Sequence, residues 1–263
     1  MAELAAATDP SQSSPDAESS ARGAEVQSLA TAQRLMSELA GTLHTLDDLT
    51  PYLERLVHAV NANIDGCDAV GVTVVMDDRP RTAAYTTVET LEIDAVQYSV
   101  GDGPCLDAFR NGRENRVDFV GGEQRWPAFM LGCEPGQVQS MFALPLESDG
   151  RRFGSLNLYG YRRDAFQGPE VAVIRMAAQR AADALAAAVH IAGARAVAAQ
   201  MEQAMASRAV IEQAKGVLMA RHAIDETVAF ELLRRQSQEQ NLKLRVVAAQ
   251  LVAEARSSHS RTM

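Results

Sequence analysis

Several features are scarce in this chain of 263 residues, and each absence excludes a class of function. Cysteine occurs three times, at Cys67, Cys105 and Cys133, far apart and without a CxxC pair. That excludes a disulfide scaffold and gives no zinc-binding spacing. No Gly-x-Ser-x-Gly, no His-x-x-x-His pair and no phosphate-binding Gly-rich loop is present, so no catalytic or metal set emerges. No stretch reads as long and apolar enough for a membrane span. The N-terminus lacks a basic region followed by an apolar one, so it does not read as a secretory signal. A cytoplasmic protein is expected. Basic residues are in the minority, 25 against 34 acidic, for a net charge of −9. The chain as a whole is therefore no obvious nucleic-acid binder.

The charge is uneven, however. Residues 200–256 hold eight Lys/Arg and seven Asp/Glu, while the remainder holds 17 and 27. The surplus of acid lies outside the C-terminal part. Proline is missing from Val171 to Ala220, where Gly193 and Gly216 are the only glycines and alanine dominates. Alanine has the best helix propensity, so one very long helix is expected. A helix of that length has no sufficient core of its own. A coiled coil with a second copy of the chain is the preferred solution, over an intramolecular hairpin.

Residues 1–24 are rich in Ala, Ser, Asp and Glu and read as a disordered tail. Helical periodicity follows over Val26–Ala40 and Asp48–Asn63, with Pro51 in the first turn of the second helix. Ala69–Met76 is β-branched and of strand length, and a returning strand follows Asp77-Asp78-Arg79-Pro80. A helix over Leu91–Tyr98 precedes GDGPCLDAFRNG at 101–112, where a glycine-rich turn opens a helix near Pro104. Glu114–Val120 reads as a strand and Trp126-Pro127 starts a short helix. Gln137–Leu146 and Phe153–Tyr159 form a hairpin across Asp149-Gly150, with a bulge expected because Phe153, Leu156 and Leu158 do not alternate.

Three short helical patterns fill 207–255. Val210, Ile211, Ala214, Val217 and Leu218 share a face of the first, and Arg208, Lys215 and His222 form a basic stripe on another. Ala223-Ile224 breaks it, and Asp225 is an N-cap for the second, with Val228, Ala229, Leu232 and Leu233 inward. Asn241 is expected to cap the third, with Leu244, Val247, Ala248 and Leu251 inward.

The order of elements over 25–190, with GDGPCLDAFRNG and LPLESDGRRFGSLNLY, resembles a GAF domain, a small-molecule sensing fold. That resemblance implies an α+β domain, an antiparallel sheet with flanking helices. The cyclic-nucleotide signature of some members is missing, so the ligand or cofactor is unknown. Cys105 is the ligand or redox candidate, since a helix N-terminus favours its thiolate, but packing under the loop is the preferred reading. His44 and His58 are placed on helices as ordinary residues and Trp126 in the core. Asp102 and Asp107 are read as capping groups.

SRAVIEQAKGVLMARH, AFELLRRQSQ and NLKLRVVA resemble the ANTAR domain, an RNA-binding antitermination module, over about 206–252. The implied architecture is a GAF-like domain, a helical coiled-coil linker at 191–206, an all-α three-helix ANTAR bundle at 207–255 and a tail at 256–263. The implied RNA-facing residues are Arg208, Lys215, Arg221, Arg234, Arg235, Ser237, Lys243 and Arg245. Ala214, Gly216, Leu218, Ala229, Leu233 and Ala248 are implied to be structural, small residues allowing close packing. The resemblance implies a homodimer that binds stem-loops of a leader transcript, acts indirectly on the elongation complex, touches no membrane and catalyses no reaction. Two positions depart from the family: Ala223, where glycine is usual, and Val246, where an acid is usual. Alanine in a left-handed turn costs about 1 kcal/mol, so a different turn is expected there. Three readings compete: a helix-turn-helix DNA-binding regulator, a redox enzyme using Cys105, and a sensor acting through a protein partner.

Overall fold

The computed structural model describes residues 15–119, 122–133 and 136–259. Two compact units divide at Ile191/Ala192.

The first unit is built on a five-stranded antiparallel sheet in the order β2-β1-β5-β4-β3. The strands are β1 (Ala69–Met76), β2 (Arg79–Tyr85), β3 (Asn115–Asp118), β4 (Ser140–Ser148) and β5 (Arg151–Gly160). Both two-residue hairpin turns have positive φ at each central residue, Asp77 49° with Asp78 58°, and Asp149 53° with Gly150 72°. This mirror-image turn matches the right-handed strand twist. Pro80 sits in β2, an edge strand, where its missing N–H costs no ladder bond.

Helices α1 (Pro15–Glu38), α2 (Leu49–Asn63) and the first turns of α6 (Glu170–His222) cover one face of the sheet. Leu35, Leu56, Val60, Ile174 and Ala181 pack there against Val70, Val72, Leu144, Leu156 and Leu158. Helices α3 (Val88–Val100), α4 (Pro104–Asn111) and α5 (Pro127–Gly132) cover the other face, where Ile93, Cys105, Phe129 and Trp126 meet Ala69, Met141, Ala143 and Tyr159. Central β5 is therefore buried on both faces from Phe153 to Gly160, which is why it shows no apolar alternation. The register shift sets Leu146 and Glu147 of β4 against Gly154 and Arg152 of β5, so Phe153 is the extra, bulged residue of this hairpin. Gly154 is required: a Cβ there would lie 1.8 Å from the Thr73 carbonyl oxygen.

Four expectations need correction here. Helix α1 begins at Pro15, so residues 15–24 are helical; residues 1–14 lie outside the described residues. Helix α8 (Leu244–His259) runs into the expected tail. His44 lies in the loop before α2, its backbone N–H donating to the Asp48 carboxylate at 3.0 Å. Helix α6, at 53 residues, is long and apolar enough by composition to cross a membrane, with an 18-residue window of mean hydropathy 1.3. Alanine satisfies such a test while offering little apolar area. The window is 22% buried.

The second unit packs the end of α6, α7 (Glu226–Glu239) and α8 around Ala214, Leu218, Ala229, Leu233, Val247, Ala248 and Val252. Asp225 caps α7, its side chain accepting from the Val228 N–H at 2.9 Å.

Candidate functional site

The turns of the C-terminal bundle set where its cations stand. Ala223 closes α6 with φ 52°, so the left-handed turn forms despite the alanine. At the end of α7, Asn241 takes φ 53°. The Leu242 N–H bonds the Ser237 carbonyl at 3.0 Å and the Asn241 N–H the Gln238 carbonyl at 3.2 Å. This pair of bonds ends a helix through a left-handed residue. Asn241 therefore terminates α7, where it was expected to cap the third helix. The α8 helix starts only at Leu244.

The eight expected RNA-facing residues divide into two groups. Arg208, Arg221, Arg234, Arg235 and Lys243 are exposed, and Arg245 is half-buried in a groove with Gln203, Ala206, Val210 and Val246. Arg234 pairs with Glu231 at 3.1 Å and Arg235 with Glu239 at 3.5 Å. Both are exposed pairs within one helix, of small energy and open to exchange for another anion. Lys215 and Ser237 depart from expectation. Lys215 is 6% exposed. Its ammonium donates to Glu212 at 2.7 Å and to Glu226, the first residue of α7. These carboxylates hold its pKa above the ordinary lysine value. The basic stripe was thus broken at its middle member, because α7 packs over it. The Ser237 hydroxyl donates to the Leu242 carbonyl at 2.5 Å and braces the turn. Gly216 also differs: nothing lies within 4 Å of a Cβ placed there, so close packing does not require it.

In the N-terminal unit, the sequence reading passed over Asp94. This carboxylate is fully buried between α3 and the sheet. It accepts from the Thr82 and Tyr159 hydroxyls at 2.8 Å, from Tyr98 at 3.4 Å and from the Gln97 and Asn157 amides at 3.4 and 3.5 Å. Burial outweighs these bonds and pushes its pKa up to about 6. Two buried polar atoms beside it, Ser155 Oγ and Asn157 Oδ1, have no hydrogen-bond partner among the described residues. The available signal was an acid on the inward face of α3, one residue past Ile93 and three before Gln97.

Cys105 closes this cluster and is 0% exposed. The Ser155 hydroxyl faces its thiol but lies outside hydrogen-bonding geometry. Burial, reinforced by the Asp94 carboxylate, pushes the thiol well above its ordinary value. Desolvation overrides the helix N-terminus, so Cys105 is the neutral, packed thiol of the preferred reading and not the thiolate of the redox alternative. Cys133 is pushed up to about 11 by burial. Asp102 and Asp107 hold local structure: Asp102 accepts from the Gly103 N–H, and Asp107 from the Asn111 and Asn115 amides. Among the described residues no group of three or more His, Cys, Asp or Glu is placed to hold a metal ion.

Residues 30–186 match the GAF domain family. The chain belongs to that family. Behind the GAF domain, residues 199–252 match the ANTAR domain, giving a GAF–ANTAR architecture. No match was found among curated proteins. Similar solved structures include the type II free methionine-R-sulfoxide reductase of Thermoplasma acidophilum, at 17% identity and TM-score 0.45, covering 53% of this chain and 93% of that one. The free methionine-R-sulfoxide reductase of Neisseria meningitidis in complex with its substrate is similar at 16% identity and TM-score 0.44, covering 72% and 98%. The GAF domain of an Acinetobacter phosphoenolpyruvate-protein phosphotransferase is similar at 12% identity and TM-score 0.47, covering 62% and 95%.

Proposed function

We propose that this GAF–ANTAR chain is an RNA-binding transcription antitermination regulator. The ANTAR match over 199–252 is the observation that carries the reading. The exposed Arg208, Arg221, Arg234, Arg235 and Lys243 support it. Arginine offers a planar fork and a stacking surface, and lysine a point charge, to the phosphates and splayed bases of an RNA loop. Two bundles hold two adjacent stem-loops of a leader transcript. That RNA is then unavailable to a terminator hairpin, and the elongation complex proceeds. The chain makes and breaks no bond in this cycle, and the buried, neutral Cys105 speaks against a redox enzyme.

Pairing runs through α6. Residues 192–206 are exposed, and Val197, Met201 and Met205 recur at intervals of four as an apolar stripe. A second α6 buries that stripe as a coiled coil. The GAF domain takes the signal, and the cluster at Asp94, with its two unpartnered polar atoms, is where a small polar ligand is read. The protein works in the cytoplasm, where nascent RNA is made. The test is a binding titration at fixed salt against a two-hairpin RNA and a duplex DNA of equal length. Preference for the hairpins is expected. Preference for the duplex would return the reading to a helix-turn-helix regulator.

A further inference from the structure

Residues 192–263 contain one aromatic side chain among Phe, Tyr and Trp, namely Phe230. A small bundle gains most by burying such a ring, roughly 1.5–3 kcal/mol. Here the core is made of Ala, Leu and Val, and Phe230 remains 38% exposed. Its position on α7 explains how. Ala229 and Leu233 point into the core, and Phe230 is turned about 100° away from Ala229 along the helix. Phe230, Arg234 and Ser237 stand at i, i+4 and i+7, on one stripe.

The ring also has no guanidinium over it among the described residues. Among the described residues, the rings with a guanidinium over them are Tyr52, Phe142, Trp126 and Phe153, all in the N-terminal unit. Arg234, one turn from Phe230, turns instead to Glu231. Glu226, one turn on the other side, shares the Lys215 ammonium with Glu212. The stripe thus combines a part-exposed aromatic ring and a guanidinium held by an exchangeable partner. An aromatic beside a cation is what an unstacked base requires, a π surface for the ring and a charge for its phosphate.

We propose that Phe230 is a base-stacking platform, receiving one splayed loop base of the bound RNA while Arg234 leaves Glu231 for the adjoining phosphate. This rests on the RNA-binding reading above. Stacking is sequence-tolerant, so the platform selects an unpaired base and leaves its identity to other contacts.

The test uses the full chain and the tightest RNA selected in vitro by it from a pool of two-hairpin sequences, with 2-aminopurine at successive loop positions. Phe230→Leu is expected to weaken binding by about 5- to 150-fold and to abolish the fluorescence quench at one loop position. The dependence of affinity on salt should be unchanged, because no phosphate contact is lost. Phe230→Trp should keep both affinity and quench. Circular dichroism melting checks the fold, and Phe230→Met replaces the leucine variant if that one fails to fold. Wild-type affinity and quench in Phe230→Leu, with binding lost in Arg234→Ala, would overturn the platform alone. Failure of the wild type to enrich any RNA would overturn both readings. A Phe230→Leu defect that tracks loss of self-association in sedimentation would assign the ring to an interface between copies, and the proposal would fall.

Discussion

The ammonium of Lys215, near the end of α6, is bonded to the carboxylate of Glu226, the first residue of α7. The two helices meet there as they turn at Ala223, with Glu212 as a second acceptor one turn before the lysine. A cation that reads in sequence as part of an RNA-facing stripe is used within the protein.

Lys215→Met is therefore expected to lower the melting temperature modestly, since it keeps the packed stem and removes only the charge. It should leave the slope of log affinity against log salt where it was. Arg234→Ala, by contrast, should reduce that slope by about one and weaken RNA binding without altering the melt. A reduced slope for Lys215→Met would show that the lysine reaches phosphate after all.

Ala223 holds φ 52° at the end of α6. Glycine reaches that conformation without Cβ strain, so Ala223→Gly should stabilise the C-terminal unit by about 1 kcal/mol. Chemical denaturation followed by helical circular dichroism measures this. No gain would mean that the entropy of glycine in the unfolded chain cancels the relief.

Asp94 titrates at about 6 in the folded chain, above its ordinary value of 3.8. The folded state then binds more protons than the unfolded one between those values. Its contribution to stability is full below about pH 4 and is lost as pH rises through about 6, to a total of up to about 3 kcal/mol. Asp94→Asn should flatten the urea midpoint between pH 4 and 6 relative to the wild type. Parallel profiles for the two proteins would exclude Asp94 as the titrating group.

Cys105 is fully buried with its thiol pushed up. Iodoacetamide at pH 8 should leave it unmodified in the native protein and alkylate it only in denaturant. Mass spectrometry of the peptide around Cys105 distinguishes the two states. Rapid native modification would restore the redox reading.

Much of the fold was legible. The β-branched run at Ala69–Met76 became β1 with those bounds, Asp149-Gly150 turned a hairpin, and Asp225 capped α7. These are signals carried by a few neighbouring residues, which act through backbone preference and local hydrogen bonds. The bulge expected at this hairpin falls at Phe153, one of the residues whose spacing signalled it. In β5 the alternation vanished because both faces are covered, a fact about the sheet's order and not about β5 itself.

Asn241 shows a local signal read in the wrong direction. The same short polar side chain suits an N-cap and a left-handed turn, and only the bonds from Leu242 and Asn241 back into α7 decide between them. The candidate RNA-facing set illustrates the limit for charged residues. Helical spacing places Arg208, Lys215 and His222 on one side of α6, but not the carboxylates that α7 brings to the middle one.

The sequence by itself determined the helices, the strands, the tight turns and the family resemblances of both halves, because period, propensity and motif are properties of adjacent residues. Only the tertiary structure decided which polar groups face inward. Burial of Asp94 beside Asn157 and Cys105, and closure of Glu226 over Lys215, bring together residues far apart in the chain or on different elements. Whether a charge is solvated or enclosed depends on what packs over it. No single helix or strand carries that information.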